Sequence, residues 1–177
     1  MSEILSMKSL RAAVKNGSID TVIAAFPDMQ GRLMGKRFHA KFFVDNAWEE
    51  THCCNYLIAT DLEMATVDGY ESTSWSAGYG DYVMRPDLDT LCVLPWLEGT
   101  ALVLCDLLDH HTHELVPHAP RTVLKQQLKR AADLGLSMMA ATELEFFVFR
   151  ETFETIRDAG YHAMTPISPY NEDYHIF

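Results

Sequence analysis

The segment TVIAAFPDMQGRLMGKRF, residues 21–38, predicts a β-hairpin. Its first six residues are rich in β-prone side chains, and the turn formers Pro, Asp and Gly follow within residues 27–31. Residues 33–38 can then pair back as the second arm of the hairpin. A hairpin at this point of the chain favours a sheet as the element around which the fold is built.

Short helices are predicted on both sides of this hairpin. Met7, Leu10 and Val14 recur at helical spacing, and Gly17 stands where such a helix would end. A second helix is expected near residues 40–46. The first of the two is therefore predicted to be a short amphipathic helix.

Four further strands are predicted after the second helix, over residues 57–64, 82–84, 91–94 and 101–106. The segment of residues 67–80 is rich in Gly, Ser, Thr and aromatic residues, which predicts a long loop. Long loops in compact domains are usually functional or disordered. Several strands with one or two helices predict an α+β fold class.

A linker is predicted over residues 109–120, because this stretch has no hydrophobic periodicity and contains two prolines. It also carries four histidines, His110, His111, His113 and His118. A histidine-rich metal carrier is one interpretation, but the spacing places no clean pair of imidazoles on one face of a regular element. A solvated polar linker is the favoured interpretation.

A helix beginning at Pro120 and ending near Gly135 is predicted next. Its apolar side comprises Val123, Leu124, Leu128, Ala131 and Leu134. The basic residues Lys125, Lys129 and Arg130 are interpreted as its solvated face rather than as an anion site.

The segment ATELEFFVF, residues 141–149, predicts a strand with a metal site on one face. Side chains alternate along a strand, so Glu143 and Glu145 would share one face while Leu144 and Phe146 share the other. A carboxylate in an apolar strand needs a cation or strong donors. Hard divalent ions such as Mg²⁺ or Mn²⁺ prefer oxygen ligands. The alternative is that both glutamates lie at an exposed strand end.

The composition predicts a soluble globular protein. The 177 residues are 48% hydrophobic and 22% charged, and no apolar run reaches the length of a membrane helix. The first eight residues lack the pattern of a signal peptide, so the cytoplasm is the expected compartment. With a net charge of −11, the chain would be repelled by phosphate backbones, which makes nucleic acid an unexpected partner.

Four cysteines, Cys53, Cys54, Cys92 and Cys105, match neither a zinc pattern nor a disulfide framework. Free thiols in a reducing compartment are therefore expected.

The order of three segments resembles the N-terminal part of the glutamine synthetase family. These segments are FPDMQGRLMGKR at residues 26–37, GDYVMRPDLDT at residues 80–90 with Pro95-Trp96 and Cys105-Asp106 after it, and Pro120-Arg121 followed by Glu143-x-Glu145-Phe146-Phe147. In the first segment Met34 stands where the family commonly has arginine. The resemblance covers roughly residues 20 to 150.

The resemblance implies an α+β architecture in which a β-grasp N-terminal domain precedes the truncated start of a glutamine synthetase-type α/β catalytic domain. The implied organisation is an N-terminal helix at residues 1–17, the β-grasp domain at 18–110, a linker at 111–120 and an incomplete catalytic domain at 121–177. Because later family motifs are absent, the 177-residue chain alone is expected to be inactive.

The resemblance also implies a chemistry. Enzymes of this family use ATP and divalent metals, Mg²⁺ or Mn²⁺, to phosphorylate the γ-carboxylate of glutamate, and an amine then displaces the phosphate. Glu145 resembles the metal ligand on the glutamate side and Glu143 the one on the nucleotide side. A full-length enzyme of this kind is expected to form a homo-oligomer.

In this family the loop before the second segment reaches a neighbouring subunit's site, where an acidic residue binds and deprotonates ammonium. Here Asp68-Gly69 keeps half of the usual D-G-S-S sequence, Ser72 can substitute for a serine, and Trp75 matches an aromatic near the nucleotide. Ammonium is the expected amine. The alternatives are a larger amine, as in enzymes that make γ-glutamyl polyamines, and a non-catalytic β-grasp interaction module. A purely structural interpretation makes Asp68-Gly69 a turn and Trp75 a packed loop aromatic.

Overall fold

The computed structural model describes residues 4–76, 78–170 and 175. The chain forms two compact units, Met1–Ser137 and Met138–Phe177. The first unit is a mixed α/β structure built on one five-stranded sheet. Among the described residues no helix is long and apolar enough to cross a membrane.

The sheet has the strand order β2-β1-β5-β4-β3. Its strands are β1 Thr21–Pro27, β2 Leu33–His39, β3 Thr51–Cys54, β4 Asp81–Val93 and β5 Thr100–Asp109. The central strands β1 and β5 run parallel, and every other neighbouring pair is antiparallel. Phe26, Met84, Leu91 and Val103 are among the fully buried side chains of its core.

The predicted hairpin is confirmed, with β1 and β2 paired from Thr21↔His39 to Pro27↔Leu33. Its turn is held by the buried carboxylate of Asp28, which accepts hydrogen bonds from the backbone N–H groups of Gln30 and Arg32 at 2.9 and 2.8 Å. Arg32 Nε donates a further bond to Asp28 Oδ2 at 2.6 Å. The turn is therefore fixed by polar bonds as well as by its backbone preferences.

Both helices predicted around the hairpin are confirmed. Helix α1 covers Met7–Lys15, begins at the Ser6 cap and buries Leu10. The second predicted helix is a short turn, α2 Ala40–Phe42, that continues as a π-helical turn over Phe43–Ala47. The buried side chains of Phe43, Val44 and Ala47 join the core.

Two strand predictions are corrected by the structure. Residues 57–64 are not a strand, since a 3₁₀ turn covers Asn55–Ile58 and the strand β3 precedes it. The predicted strands at residues 82–84 and 91–94 are one strand, β4, with an irregularity between Asp87 and Cys92. Thr90 bridges this irregularity, because its hydroxyl donates to the Asp87 carbonyl at 2.7 Å and accepts from the Leu104 N–H at 2.9 Å.

The stretch predicted to be a linker is partly packed. Val116 and Ala119 are buried, and the Val116 N–H donates to the Leu107 carbonyl at 2.9 Å. Helix α3, Pro120–Asp133, then follows as predicted, with Gly135 in a left-handed conformation after its end. The compact unit thus extends through α3, and the domain limits inferred from the resemblance remain a prediction.

The face of α3 that contacts the sheet differs from the predicted one. Val123, Leu124, Leu128 and Leu134 are exposed, while Thr122 is buried. Lys125 was predicted to lie on the solvated face of the helix, but it forms ion pairs with Asp87 and Asp106 of the sheet. Ion pairs therefore contribute to the attachment of the helix to the sheet, together with the buried Thr122.

The predicted strand at residues 143–149 is wrong for the described structure. Residues 141–148 have no strand assignment, and Leu144 and Phe146 are 84% and 73% exposed. A single bridge pairs Phe149 with Pro166, after which α4 covers Phe153–Asp158. A strand needs a neighbour for its N–H and C=O groups, and the described residues supply one only at this bridge.

Candidate amine loop and carboxylate pair

The long loop between the 3₁₀ turn and β4 carries three of the predicted site residues, Asp68, Ser72 and Trp75. Asp68 and Ser72 are exposed, and 80% of the Trp75 surface is exposed. The structure therefore places the three residues on one loop with accessible side chains. Trp75 contacts the Tyr79 ring edge-on at 5.3 Å between centroids but is not a packed core aromatic.

The base of this loop is held by the buried side chain of Asn55. Asn55 Nδ2 donates to the Ser72 carbonyl at 3.0 Å, and Asn55 Oδ1 accepts from the Thr73 hydroxyl at 2.9 Å and from the Gly80 N–H at 3.3 Å. The Asn55 N–H also donates to the Gly80 carbonyl at 2.9 Å. One residue thus joins two points of the loop that lie eight positions apart.

The first part of the loop has its own anchors. Thr60 and Thr66 form a bridge, and Asp61 Oδ1 accepts from the N–H groups of Glu63 and Ala65 at 2.9 and 3.0 Å. Arg32 of the hairpin turn donates to the carbonyls of Leu62 and Asp61 at 2.7 and 3.0 Å. The hairpin and the start of the loop are therefore one hydrogen-bonded assembly.

His118 also contacts the loop, although the sequence placed it in the linker. Its Nε2 lies 3.5 Å from the Ser72 hydroxyl oxygen, and its ring lies 5.6 Å from that of Tyr70. Burial lowers the pKa of His118 below the ordinary value of 6.5, which favours the neutral imidazole. Ser72 and His118 lie 46 positions apart in the sequence, so no local periodicity predicts their contact.

Glu143 and Glu145 lie in the second compact unit, and both side chains are exposed. Their oxygens are the donor type that Mg²⁺ and Mn²⁺ prefer, but two carboxylates are far fewer than the six or so ligands such an ion takes. Within the described residues no group of three or more His, Cys, Asp or Glu side chains could hold a metal ion. The two glutamates thus offer the right type of oxygen ligand for Mg²⁺ or Mn²⁺ but too few ligands to hold the ion alone.

A cluster of four charged residues joins α3 to the sheet and was not predicted. Arg121 Nη2 lies 2.5 Å from Asp87 Oδ2 and Arg121 Nε lies 3.1 Å from Asp106 Oδ1, while Lys125 Nζ lies 3.0 and 2.7 Å from Asp87 Oδ2 and Asp106 Oδ2. Burial alone would raise the pKa of Asp87, but the Lys125 hydrogen bond and the charges of Lys125 and Arg121 outweigh it and lower that pKa. The cluster is internally paired, which indicates a structural role.

The described cysteines are free, and Cys53 and Cys105 are buried. Burial raises the pKa of both thiols to about 12. Neither thiol is therefore an effective nucleophile near neutral pH.

Comparison with known proteins gives a consistent set of similarities. Residues 117–175 match the family model described as glutamine synthetase, catalytic domain. The chain is 51% identical over 173 residues to gamma-glutamylethanolamide synthetase GlnA4 of Streptomyces coelicolor, covering 97% of this chain and 37% of that protein. It is 32% identical over 166 residues to the glutamate–isopropylamine ligase of a Pseudomonas species, covering 93% of this chain and 36% of that protein.

A solved structure described as a GmaS/ADP complex matches with a TM-score of 0.50 and 18% sequence identity. The match covers 89% of this chain and 36% of that one, and at this identity it supports the fold alone. The chain therefore spans little more than a third of the length of the relatives it matches.

Proposed function

The chain belongs to the glutamine synthetase family, and we propose that it is part of an ATP-dependent ligase that joins glutamate to a small organic amine. The observation that carries this proposal is the similarity along nearly the whole chain to a protein named for making a γ-glutamyl ethanolamide. A second relative is named for a different organic amine, isopropylamine.

The choice of an organic amine revises the expectation of ammonium. Tyr70 and Glu71 interrupt the loop sequence that the family uses for ammonium, and Tyr70, Trp75 and Tyr79 make the loop rich in aromatic rings. Aromatic faces attract alkylammonium groups and also pack against their carbon atoms. A loop of this composition suits an amine that carries a carbon substituent.

The proposed reaction has two steps. The γ-carboxylate of glutamate attacks ATP, which releases ADP and forms γ-glutamyl phosphate. The amine nitrogen then attacks the γ-carbonyl carbon, phosphate leaves, and the nitrogen loses a proton. We assign Asp68 to the binding of the ammonium form and to the acceptance of that proton, because it is an exposed carboxylate on the anchored loop.

Glu143 and Glu145 are proposed as two of the oxygen ligands of the divalent metals that the family requires, with the other ligands supplied by segments beyond this chain. Such metals neutralise charge on phosphate and carboxylate oxygens. Ser72 and Trp75 are assigned to contacts with the amine or the nucleotide.

We further propose a β-grasp domain, a cytoplasmic location and an oligomeric state for this enzyme. A mixed sheet with its first and last strands parallel at the centre is compatible with a β-grasp domain over residues 18–110. The free thiols are compatible with a cytoplasmic protein. The full-length enzyme is proposed to be a homo-oligomer.

The role of Asp68 is tested in the full-length protein by Asp68→Asn, which keeps the shape and removes the charge. We expect the KM for ethanolamine to rise about 10- to 100-fold, the range for loss of a hydrogen bond to a charged group. The release of ADP in the presence of glutamate without amine should stay unchanged.

The matched control for this test is Glu63→Gln, which removes an exposed carboxylate from the same loop. This variant should behave like the unchanged protein. Equal effects of Asp68→Asn and Glu63→Gln on the KM for ethanolamine would contradict the assignment. An unchanged protein that forms no γ-glutamyl product at all would instead support a non-catalytic interaction module.

A further inference from the structure

We propose that Asn55 is a positioning residue that fixes the conformation of the loop between the 3₁₀ turn and β4, here called the amine loop, and thereby sets the affinity for the amine. The inference rests on the proposed function, because it takes the loop of Asp68, Ser72 and Trp75 to face the amine. It assigns to Asn55 no contact with the substrate.

The hydrogen bonds of Asn55 require both halves of its amide. The carbonyl oxygen accepts from the Thr73 hydroxyl and the Gly80 N–H, while the amide nitrogen donates to the Ser72 carbonyl. Aspartate has no donor for the Ser72 carbonyl, and glutamine is longer by one methylene group. Asparagine is therefore the side chain that satisfies all three partners at these distances.

Burial makes these bonds costly to break. Asn55 is 7% exposed and Thr73 is 2% exposed, so water is largely excluded from the joint. A polar group that loses its partner in such a place is left without a hydrogen bond. The loop base is therefore held in one arrangement, although the neighbouring side chains of Ser72 and Trp75 are exposed.

Three aromatic rings, those of Tyr56, Tyr79 and Trp75, connect the same turn to a second part of the loop. Tyr56, next to Asn55, contacts Tyr79 edge-on at 5.7 Å between centroids, and Tyr79 contacts Trp75 at 5.3 Å. The turn that contains Asn55 and Tyr56 thus contacts the loop both through hydrogen bonds and through aromatic rings. A displacement of this turn would move the accessible side chains together.

Positioning of this kind predicts a selective kinetic effect. A loop that samples several conformations lowers the fraction of protein competent to bind the amine, which raises the apparent KM for that substrate. The glutamate-binding residues are proposed to lie in other segments of the enzyme, so the KM for glutamate should change little. A residue that served stability alone would lower the amount of folded protein and hence the maximal rate, and would leave the KM of every substrate unchanged.

The experiment compares Asn55→Asp with the matched control Asn46→Asp in the full-length protein. Asn46 is exposed, and its side chain donates one weak bond, to the Phe42 carbonyl at 3.3 Å. We expect Asn55→Asp to raise the KM for ethanolamine about tenfold, the effect of losing one buried hydrogen bond. Hydrogen exchange of the peptide covering residues 72–80 should become faster in this variant and not in Asn46→Asp.

A second pair of variants covers the case in which Asn55→Asp fails to fold. Thr73→Val removes the hydroxyl that donates to Asn55 and keeps the branching at Cβ, whereas Thr73→Ser keeps the hydroxyl. Thr73→Val should raise the KM for ethanolamine and speed exchange at residues 72–80, while Thr73→Ser should restore both values towards those of the unchanged protein.

Two failures are distinguishable. If the unchanged full-length protein forms no γ-glutamyl amide, the proposed function fails. Faster hydrogen exchange of residues 72–80 in Asn55→Asp would still show that Asn55 holds the loop. If the unchanged protein is active but Asn55→Asp and Thr73→Val leave the KM for ethanolamine and the loop exchange unaltered, the positioning role of Asn55 is overturned.

Discussion

Asp28 and Asn55 are two buried polar residues whose side chains fix the hairpin turn and the end of the long loop, respectively. The Asp28 carboxylate accepts a hydrogen bond from Arg32 within the hairpin turn. Arg32 in turn donates to the carbonyls of Asp61 and Leu62 at the start of the amine loop. Asn55 bonds the end of that loop. Buried polar groups of this kind specify a single conformation because their alternatives leave hydrogen bonds unmade.

At the residue scale, His118 predicts a dependence of stability on pH. Its pKa is lowered by burial in the folded protein, so protonation is easier in the unfolded chain, whose histidine titrates near 6.5. The stabilising contribution of the neutral ring is complete above pH 6.5 and is lost as the pH falls through the lower pKa of the folded state.

We expect the free energy of unfolding from urea titrations to decrease between about pH 7.5 and about pH 5, and His118→Asn to reduce this decrease. His113→Asn, at an exposed histidine of the same stretch, should leave the dependence unchanged. An identical pH profile in the unchanged protein and in His118→Asn would contradict the prediction.

The sequence identified candidate site residues on the loop but not the contacts that hold the loop in place. Asp68, Ser72 and Trp75 followed from the family resemblance. Asn55 lies inside the apolar stretch CCNYLIA, where a single polar residue is a weak indication of a buried hydrogen-bonding role. Its partners lie 17 to 25 residues further along the chain, and no periodicity reports such distances.

At the element scale, the hairpin depends on Gly35. This glycine has φ +155°, and a Cβ atom at this position would lie 2.0 Å from the Ala24 carbonyl oxygen on the paired strand. Strand β1 is central and cannot move away, because β5 pairs with its other edge. The position therefore requires glycine.

We expect Gly35→Ala to lower the free energy of unfolding by about 3 kcal/mol or more, since the clash is with backbone atoms. Gly17→Ala is the control, because a Cβ atom added there would meet no atom within 4 Å beyond its chain neighbours, and only its left-handed φ of +80° is strained. That control should cost about 1 to 2 kcal/mol. Equal losses in the two variants, measured by urea denaturation, would show that the close approach at Gly35 is unimportant.

Local patterns predicted the elements whose stability is local. The hairpin, α1 and α3 were found because turn formers, periodic apolar residues and the flanking Pro120 and Gly135 lie within each element or at its ends. The segment at residues 57–64 was misassigned because an apolar run does not distinguish a strand from a packed 3₁₀ turn. The strand at residues 143–149 was expected from alternation, but alternation does not supply the neighbouring strands on which it depends.

At the scale of the whole molecule, the two compact units carry different parts of the proposed chemistry. The first unit holds the amine loop, and the second holds Glu143 and Glu145. The chain spans little more than a third of the length of the relatives it matches, and the proposal places the remaining ligands of metal, nucleotide and glutamate outside it. The sequence identified the family through the order of three segments. It predicted ammonium as the amine, whereas two relatives are named for ethanolamine and isopropylamine derivatives of glutamate.

The most direct measurement offers the full-length protein ammonium, ethanolamine, isopropylamine and putrescine together, at equal concentrations, with glutamate, ATP and Mg²⁺. Mass spectrometry then quantifies the γ-glutamyl products. We predict that the ethanolamide or another amide of a small organic amine dominates, that its formation requires ATP, and that glutamine is a minor product. Glutamine as the main product, or the absence of any ATP-dependent amide, would contradict the proposal that this chain belongs to a ligase for organic amines.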